Sequence, residues 1–234
     1  MKKKFWNLKK VNNNIGELTL YGEISDTSWW GDEVTPKDFK SELDGLGDIE
    51  TLNIYINSPG GDVFAGNTIY NMIKRHKAKK NVYIDGLAAS IASIIAMAGD
   101  SIIMPKNAMM MIHKPWSGMY GNANDFRKMA DDLDKIEGSL VEAYKTKATI
   151  EEEEIRTLMD AETWLSADDC LNYGLATEVI DETRVAACVS NKLFKNYKHV
   201  PEILEREESV QDNVDTELEQ LRLELEIESS SFLF

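Results

Sequence analysis

The stretch that most restricts how this chain can fold runs from Val82 to Gly99. Apolar Val82 and Ile84 lead into Gly86-Leu87-Ala88-Ala89-Ser90, and a second apolar run, Ile91 to Ala98, closes on Gly99. This is the least polar part of the sequence. An apolar run, a knot of small residues and a further apolar run predict a strand that turns sharply into a helix. Alanine and glycine around Ser90 allow the turn and leave the serine at the helix start. A helix N-terminus presents unpaired N–H groups and a partial positive charge, both of which favour an oxyanion. A solvated or capping serine fits the same pattern.

The flanking sequence repeats the alternation of strand and helix. Ile15 to Ile24 reads as a strand around Leu18 and Leu20, and Thr35-Pro36 starts a helix that runs to about Leu43, before Gly45 and Gly47. Thr51 to Asn57 is a second strand, stopped by Ser58-Pro59-Gly60-Gly61-Asp62. A helix follows with Val63, Ile69, Met72 and Ile73 on one face, and Ile102–Met104 and Met109–Ile112 are two more short strands. From Asn122 to Thr149, the residues Phe126, Met129, Leu133, Ile136, Leu140 and Tyr144 recur at helical spacing opposite a charged face. That helix either covers the domain or projects into a partner. Glu151–Met159, a helix capped by Ser166, and a short strand at Val179-Ile180 complete the pattern. Alternating strands and helices make the fold class α/β with crossover connections.

Beyond about Asp181 the globular signal fades, which divides the chain into a domain at 1–185 and an extension at 186–234. Glu202 to Glu228 holds eleven acids against Arg206 and Arg222, and so carries −9 of the net −15. Val210, Val214, Leu218, Leu221 and Leu225 form a short heptad-like stripe there, fitting a solvated, partly helical tail or a segment for a helical partner. The acidic balance argues against a basic nucleic-acid-binding surface. No apolar run reaches membrane-spanning length, and polar residues follow the basic N-terminus where a signal peptide needs an apolar region, so a cytoplasmic protein is expected. Cys170 and Cys188 lack CxxC spacing and read as ordinary reduced cysteines rather than zinc ligands. Adjacent Trp29 and Trp30 fit a core or interface position, or a substrate contact.

A serine becomes a nucleophile only with a base to take its proton and an acid to orient that base. Of the three histidines, His76 lies in a basic, exposed stretch and His199 in the polar tail. His113 follows the Met109–Ile112 strand and stands where a sheet rim meets a helix start; taken alone it reads as a structural histidine rather than a base. Gly60 and Gly61 let the backbone approach a ligand with its N–H groups, or simply make a strand-to-helix turn. They are not part of a phosphate-binding GxxxxGK[ST] loop, which the chain lacks.

In order along the chain, Asn57-Ser58-Pro59-Gly60-Gly61, Gly86-Leu87-Ala88-Ala89-Ser90, Met111-Ile112-His113-Lys114-Pro115 and Trp164-Leu165-Ser166-Ala167-Asp168, the last followed by Tyr173-Gly174-Leu175, resemble the Clp protease proteolytic subunit (ClpP) family. The resemblance covers roughly residues 15 to 181. It implies a ClpP/crotonase-type fold of stacked βαβ units with the Asn122–Thr149 helix as a projecting handle, assembly into a homo-oligomeric ring (a heptamer or stacked rings), and serine peptidase chemistry with no metal or cofactor. It further implies Ser90 as nucleophile, His113 as base, and the N–H groups of Gly61 and Ile91 as oxyanion hole. The family's aspartate position holds Glu162, favoured here over Asp160, two residues earlier, as the third member. Trp29 to Pro36, Met109 to His113 and Asp160 to Trp164 resemble the phage branch of the family, which implies processing of capsid or scaffold proteins during head maturation, in the host cytoplasm or prohead. Three other readings stay open: a general degradative subunit fed by an ATP-driven (AAA+) unfoldase, a crotonase-like acyl-CoA enzyme, and a non-catalytic scaffold or assembly protein.

Overall fold

The alternating apolar segments build one eight-stranded sheet in the computed structural model, which describes residues 4–25, 36–181, 194 and 197–201. The chain divides into a unit Met1–His199 and a second unit Val200–Phe234. The elements of the first are, in order, β1 (Trp6–Lys10), β2 (Ile15–Tyr21), α1 (Pro36–Gly45), β3 (Thr51–Ser58), α2 (Val63–Arg75), β4 (Lys79–Ala89), α3 (Ile91–Ala96), β5 (Ser101–Pro105), β6 (Met109–Ile112), α4 (Ala123–Lys145), α5 (Glu152–Asp160), β7 (Thr163–Ser166), α6 (Ala167–Asn172) and β8 (Glu178–Ile180). The class is mixed α/β.

Strands β2, β3, β4, β5 and β8 lie side by side and parallel, with β1 added antiparallel at one edge. Parallel strands joined by crossover helices are covered on both faces and so carry dense aliphatic residues. Leu52, Ile54 and Ile56 of β3 and Val82 and Ile84 of β4 are fully buried. Near its end β4 changes partner: Asn81–Tyr83 pair with β5, whereas Leu87–Ala89 pair with β6. This fork opens the sheet beside Ser90, and β7 closes the far side of β6 by antiparallel pairing. α3 is buried along its whole length, and Gly66 of α2 lets it approach closely, since a Cβ there would stand 2.2 Å from Ile91.

α4 begins with a capping box between Asn122 and Asp125. Its first half stands clear of the core, with Phe126 52% exposed, while Leu140, Val141 and Tyr144 in its second half are buried. The apolar stripe expected over the whole helix is therefore divided into an exposed portion and a core portion.

Several local expectations are corrected. β1 is a strand although its sequence, Trp-Asn-Leu-Lys-Lys, buries only Trp6; pairing with β2 rather than apolar alternation makes it one. β7 was hidden by its brevity, and β4 extends beyond the Val82–Ile84 run at both ends. His76 is half-buried rather than exposed: it caps α2 through its backbone and accepts a hydrogen bond from the Ala78 N–H at Nδ1. Trp29, Trp30, Thr35, Cys188 and the stripe from Val210 to Leu225 lie outside the described residues. Among the described residues no helix is long and apolar enough to cross a membrane.

Candidate active site

Ser90 sits between the last residue of β4 and the first of α3, at φ 55° and ψ −128°. An L-residue in that region costs on the order of 1–3 kcal/mol and is held there only by its surroundings. Two bonds do the holding: the Ser90 N–H donates to the Met111 carbonyl at 2.8 Å, and the Ser93 hydroxyl donates to the Ser90 carbonyl at 2.5 Å. Ala89 pairs with Met111 in the β4–β6 register, so His113, one residue past the end of β6, arrives beside Ser90. Ser90 Oγ and His113 Nε2 are 2.7 Å apart. Burial holds the His113 imidazole below its ordinary pKa, and the Glu162 carboxylate partly offsets that. The ring is therefore neutral at pH 7 and able to accept the hydroxyl proton.

The Pro59-Gly60-Gly61 turn closes over the same point. Gly60 has φ 98°, and a Cβ there would lie 2.6 Å from Ser90 Cβ. Gly61 has φ 145°, and a Cβ there would meet the Ile24 carbonyl oxygen at 1.9 Å. Both positions are closed to any side chain. Asn57 and Ser58, both buried, hold the turn: Asn57 Oδ1 accepts from the Leu87 N–H, while the Ser58 hydroxyl donates to the Gly22 carbonyl and accepts from the Gly60 N–H. Their part in the site was missed by reading only the glycines. A buried Asn and Ser next to a Pro-Gly-Gly turn was the available signal, because such groups must find partners. Neither the Gly61 nor the Ile91 N–H donates a hydrogen bond to an acceptor among the described residues. Both residues line the same cleft as Ser90.

Glu162 is buried, at φ 50°, and lies close enough to His113 to act on its charge. Its carboxylate oxygen Oε1 accepts from the backbone N–H groups of Lys198 at 2.5 Å and His199 at 2.8 Å; no hydrogen bond joins it to His113 among the described residues. Asp160 stands apart from this group, 71% exposed at its side chain and paired with Lys114 Nζ at 2.8 Å. The structure thus brings Ser90, His113, Glu162, Gly61 and Ile91 to one place and leaves Asp160 at the surface. Tyr197 was not anticipated: its ring meets His113 edge-on, with centroids 5.2 Å apart. The polar composition around it gave no sign that it would return to the sheet.

Ser90, His113, Gly61, Ile91 and Tyr197 line a cleft of about 380 Å³, and Glu162 lies behind His113, outside its lining. Among the described residues no cluster of three or more His, Cys, Asp or Glu side chains is placed to hold a metal ion. A neutral imidazole against a serine hydroxyl, with two N–H groups on the same cleft that have no acceptor among the described residues, can carry out acyl transfer. The family model of the Clp protease matches residues 41–183.

The chain belongs to the Clp protease family.

This Clp protease family member is 34% identical to the ATP-dependent Clp protease proteolytic subunit of Deinococcus radiodurans over 145 residues, which is 61% of this chain and 71% of that protein. It is 31% identical to the ATP-dependent Clp protease proteolytic subunit 2 of Treponema denticola over 194 residues, or 81% of this chain and 86% of that one. Family membership makes it a serine-type peptidase, a class that acts on protein substrates and assembles as oligomeric rings.

Proposed function

We propose that this Clp protease family member is an endopeptidase in which Ser90 is the nucleophile, His113 the general base and Glu162 the acid that orients His113. The 2.7 Å contact between Ser90 Oγ and His113 Nε2 carries this reading. As Oγ attacks the scissile carbonyl carbon, its proton passes to Nε2. The carbonyl oxygen becomes an oxyanion facing the Gly61 and Ile91 N–H groups, each worth roughly 3–4 kcal/mol by analogy with other hydrolases. His113 then returns the proton to the leaving amine, and water activated by the same imidazole releases the acyl group from Ser90. The residues involved lie within the proposed catalytic domain, 1–185, and the acidic segment 186–234 is an appended extension.

The substrate we propose is a capsid or scaffold precursor of a phage, cleaved during head maturation in the cytoplasm of the host. Support comes from the phage-like character of Trp29 to Pro36, Met109 to His113 and Asp160 to Trp164, and from a tail whose heptad-like stripe fits a scaffold-like extension. A second reading, degradation fed by an ATP-driven unfoldase, is favoured by the relatives, which are named ATP-dependent Clp protease proteolytic subunits. Intact-mass spectrometry of a candidate coat precursor, incubated with wild type or Ser90→Ala, tests the first. A discrete cut made by wild type alone supports processing. Digestion to small peptides only when an unfoldase and ATP are added supports the second reading instead. An uncut precursor and an uncleaved unstructured peptide under all conditions rule out the endopeptidase assignment.

A further inference from the structure

The segment that returns from the end of the first unit lies across the candidate site at several points. Tyr197 lines the cleft with Ser90 and His113. Its hydroxyl donates to the Pro59 carbonyl and also reaches the Ser90 hydroxyl. Its ring is edge-on to His113 and, at 6.1 Å, to Trp164. Phe194, 6% exposed, lies edge-on to Trp164 at 6.2 Å. The next two amides along, those of Lys198 and His199, donate to one oxygen, Oε1, of the Glu162 carboxylate.

We infer that the cleft contains a subsite for a phenolic side chain, and that in the resting chain Tyr197 fills this subsite in cis and excludes substrate. The inference rests on the peptidase reading of Ser90 and His113. The walls of the subsite are the rings of His113 and Trp164, and its floor is the Pro59 carbonyl, which among the described residues accepts only from the Tyr197 hydroxyl. An edge-on aromatic contact selects an aromatic ring, and a buried carbonyl selects one that carries a hydroxyl. The class of ligand is therefore a peptide bearing tyrosine.

Two observations mark the segment as a displaceable occupant rather than a fixed wall. The Trp164 indole Nε1 is buried without a hydrogen-bond acceptor among the described residues. Such an orphan donor is unfavourable, and the Phe194 and Tyr197 rings pack edge-on against the same indole. The segment also engages the carboxylate that His113 needs as its orienting partner. Its departure would release Glu162 Oε1 and widen the cleft beside Ser90 in one movement.

The test measures the rate at which a fluorophosphonate probe acylates Ser90 in the full-length chain, with Ser90→Ala as blank. Tyr197→Ala is expected to label at least tenfold faster than wild type, with Tyr197→Phe between them. Lys198→Pro, which deletes one of the two N–H groups on Glu162 and leaves the tyrosine in place, is expected to label faster as well. A peptide of residues 194–200 added in trans should slow Tyr197→Ala towards the wild-type rate, and the same peptide with phenylalanine for tyrosine should do so less well. Equal labelling of wild type and all variants overturns the cis-occupancy inference and leaves the peptidase reading intact. Slower labelling of the variants makes the segment a positioning element and also overturns it. Absence of labelling in every chain overturns the peptidase reading and this inference together.

Discussion

Ser93 and Tyr144 meet hydroxyl to hydroxyl at 2.6 Å directly beneath the Ser90 turn. One comes from α3 and the other from the buried half of α4, so a single buried contact joins the projecting helix to the strained serine. Burial holds the Tyr144 phenol well above its ordinary pKa, and it stays protonated. Because the Ser93 proton goes to the Ser90 carbonyl, the Tyr144 hydroxyl is the donor of the pair.

Tyr144→Phe should lower stability by about 1–2 kcal/mol, because the Ser93 oxygen keeps its burial and loses its donor. For a chain of this size that corresponds to a melting point lower by about 2–8 °C. Ser93→Ala should cost a similar amount, and the double variant less than the two together. Thermal unfolding of the four proteins decides it, and strictly additive losses would show that the two hydroxyls do not communicate.

Peptidase activity should fall on acidification with a midpoint below the ordinary imidazole value of 6.5, since the His113 pKa is lowered by burial. The sign follows from the chemistry. Protonated His113 cannot accept the Ser90 proton, so a depressed pKa keeps the base active further into acid. The Glu162 charge raises that pKa, and Glu162→Gln should therefore move the midpoint lower still. A kcat/KM profile over roughly two pH units either side of the ordinary value tests both shifts; a midpoint above 6.5 contradicts the burial argument.

Glu162→Ala should reduce kcat by roughly 10⁴, the loss seen when the orienting acid of a serine triad is replaced. Asp160→Asn should stay within about twofold of wild type, because its carboxylate points to Lys114 and solvent rather than to His113. The reverse ranking in a peptide-hydrolysis assay would return Asp160 to the site.

Gly61→Ala should abolish fluorophosphonate labelling, a loss of at least about 10² in rate from the displaced N–H donor alone. The methyl group would need the space held by the Ile24 carbonyl oxygen, 1.9 Å away. Circular dichroism of the same variant separates local displacement from unfolding. Unchanged labelling would show that the turn relaxes freely.

Cys170 is fully buried, and burial pushes its thiol up to about 12. Alkylation by iodoacetamide at pH 8 should consequently be very slow in the folded protein and prompt in denaturant. Rapid native modification at this position, read by peptide mass spectrometry, would show that α6 opens readily.

The strand-and-helix order was legible because aliphatic density and small-residue turns are local signals. Leu52 to Ile56 and Val82 to Ile84 announce buried parallel strands, and Ser58 to Gly61 announces the break after the first. Ser90 and His113 could be proposed from position, one at a strand-to-helix turn and one at a strand end. Their 2.7 Å approach could not, because it depends on the β4–β6 register and on where β4 changes partner. β1 escaped notice since a strand stabilised by a neighbour needs little apolar pattern of its own. Tyr197 escaped for a related reason: its partners, Pro59, His113 and Trp164, are remote in sequence. Nothing in the local chemistry of a polar tail encodes that return.

The two ends of the main ladder have a bearing on assembly. At one, β1 turns Lys9 and Lys10 outward; at the other, β8 is three residues long. Short edges and lysine-bearing edges are poor templates for adding a foreign strand. Copies of this chain are thus discouraged from zipping together edge to edge into an open-ended fibre. A closed multimer joined through helices and sheet faces has its geometry set by side-chain fit rather than by an unpaired backbone.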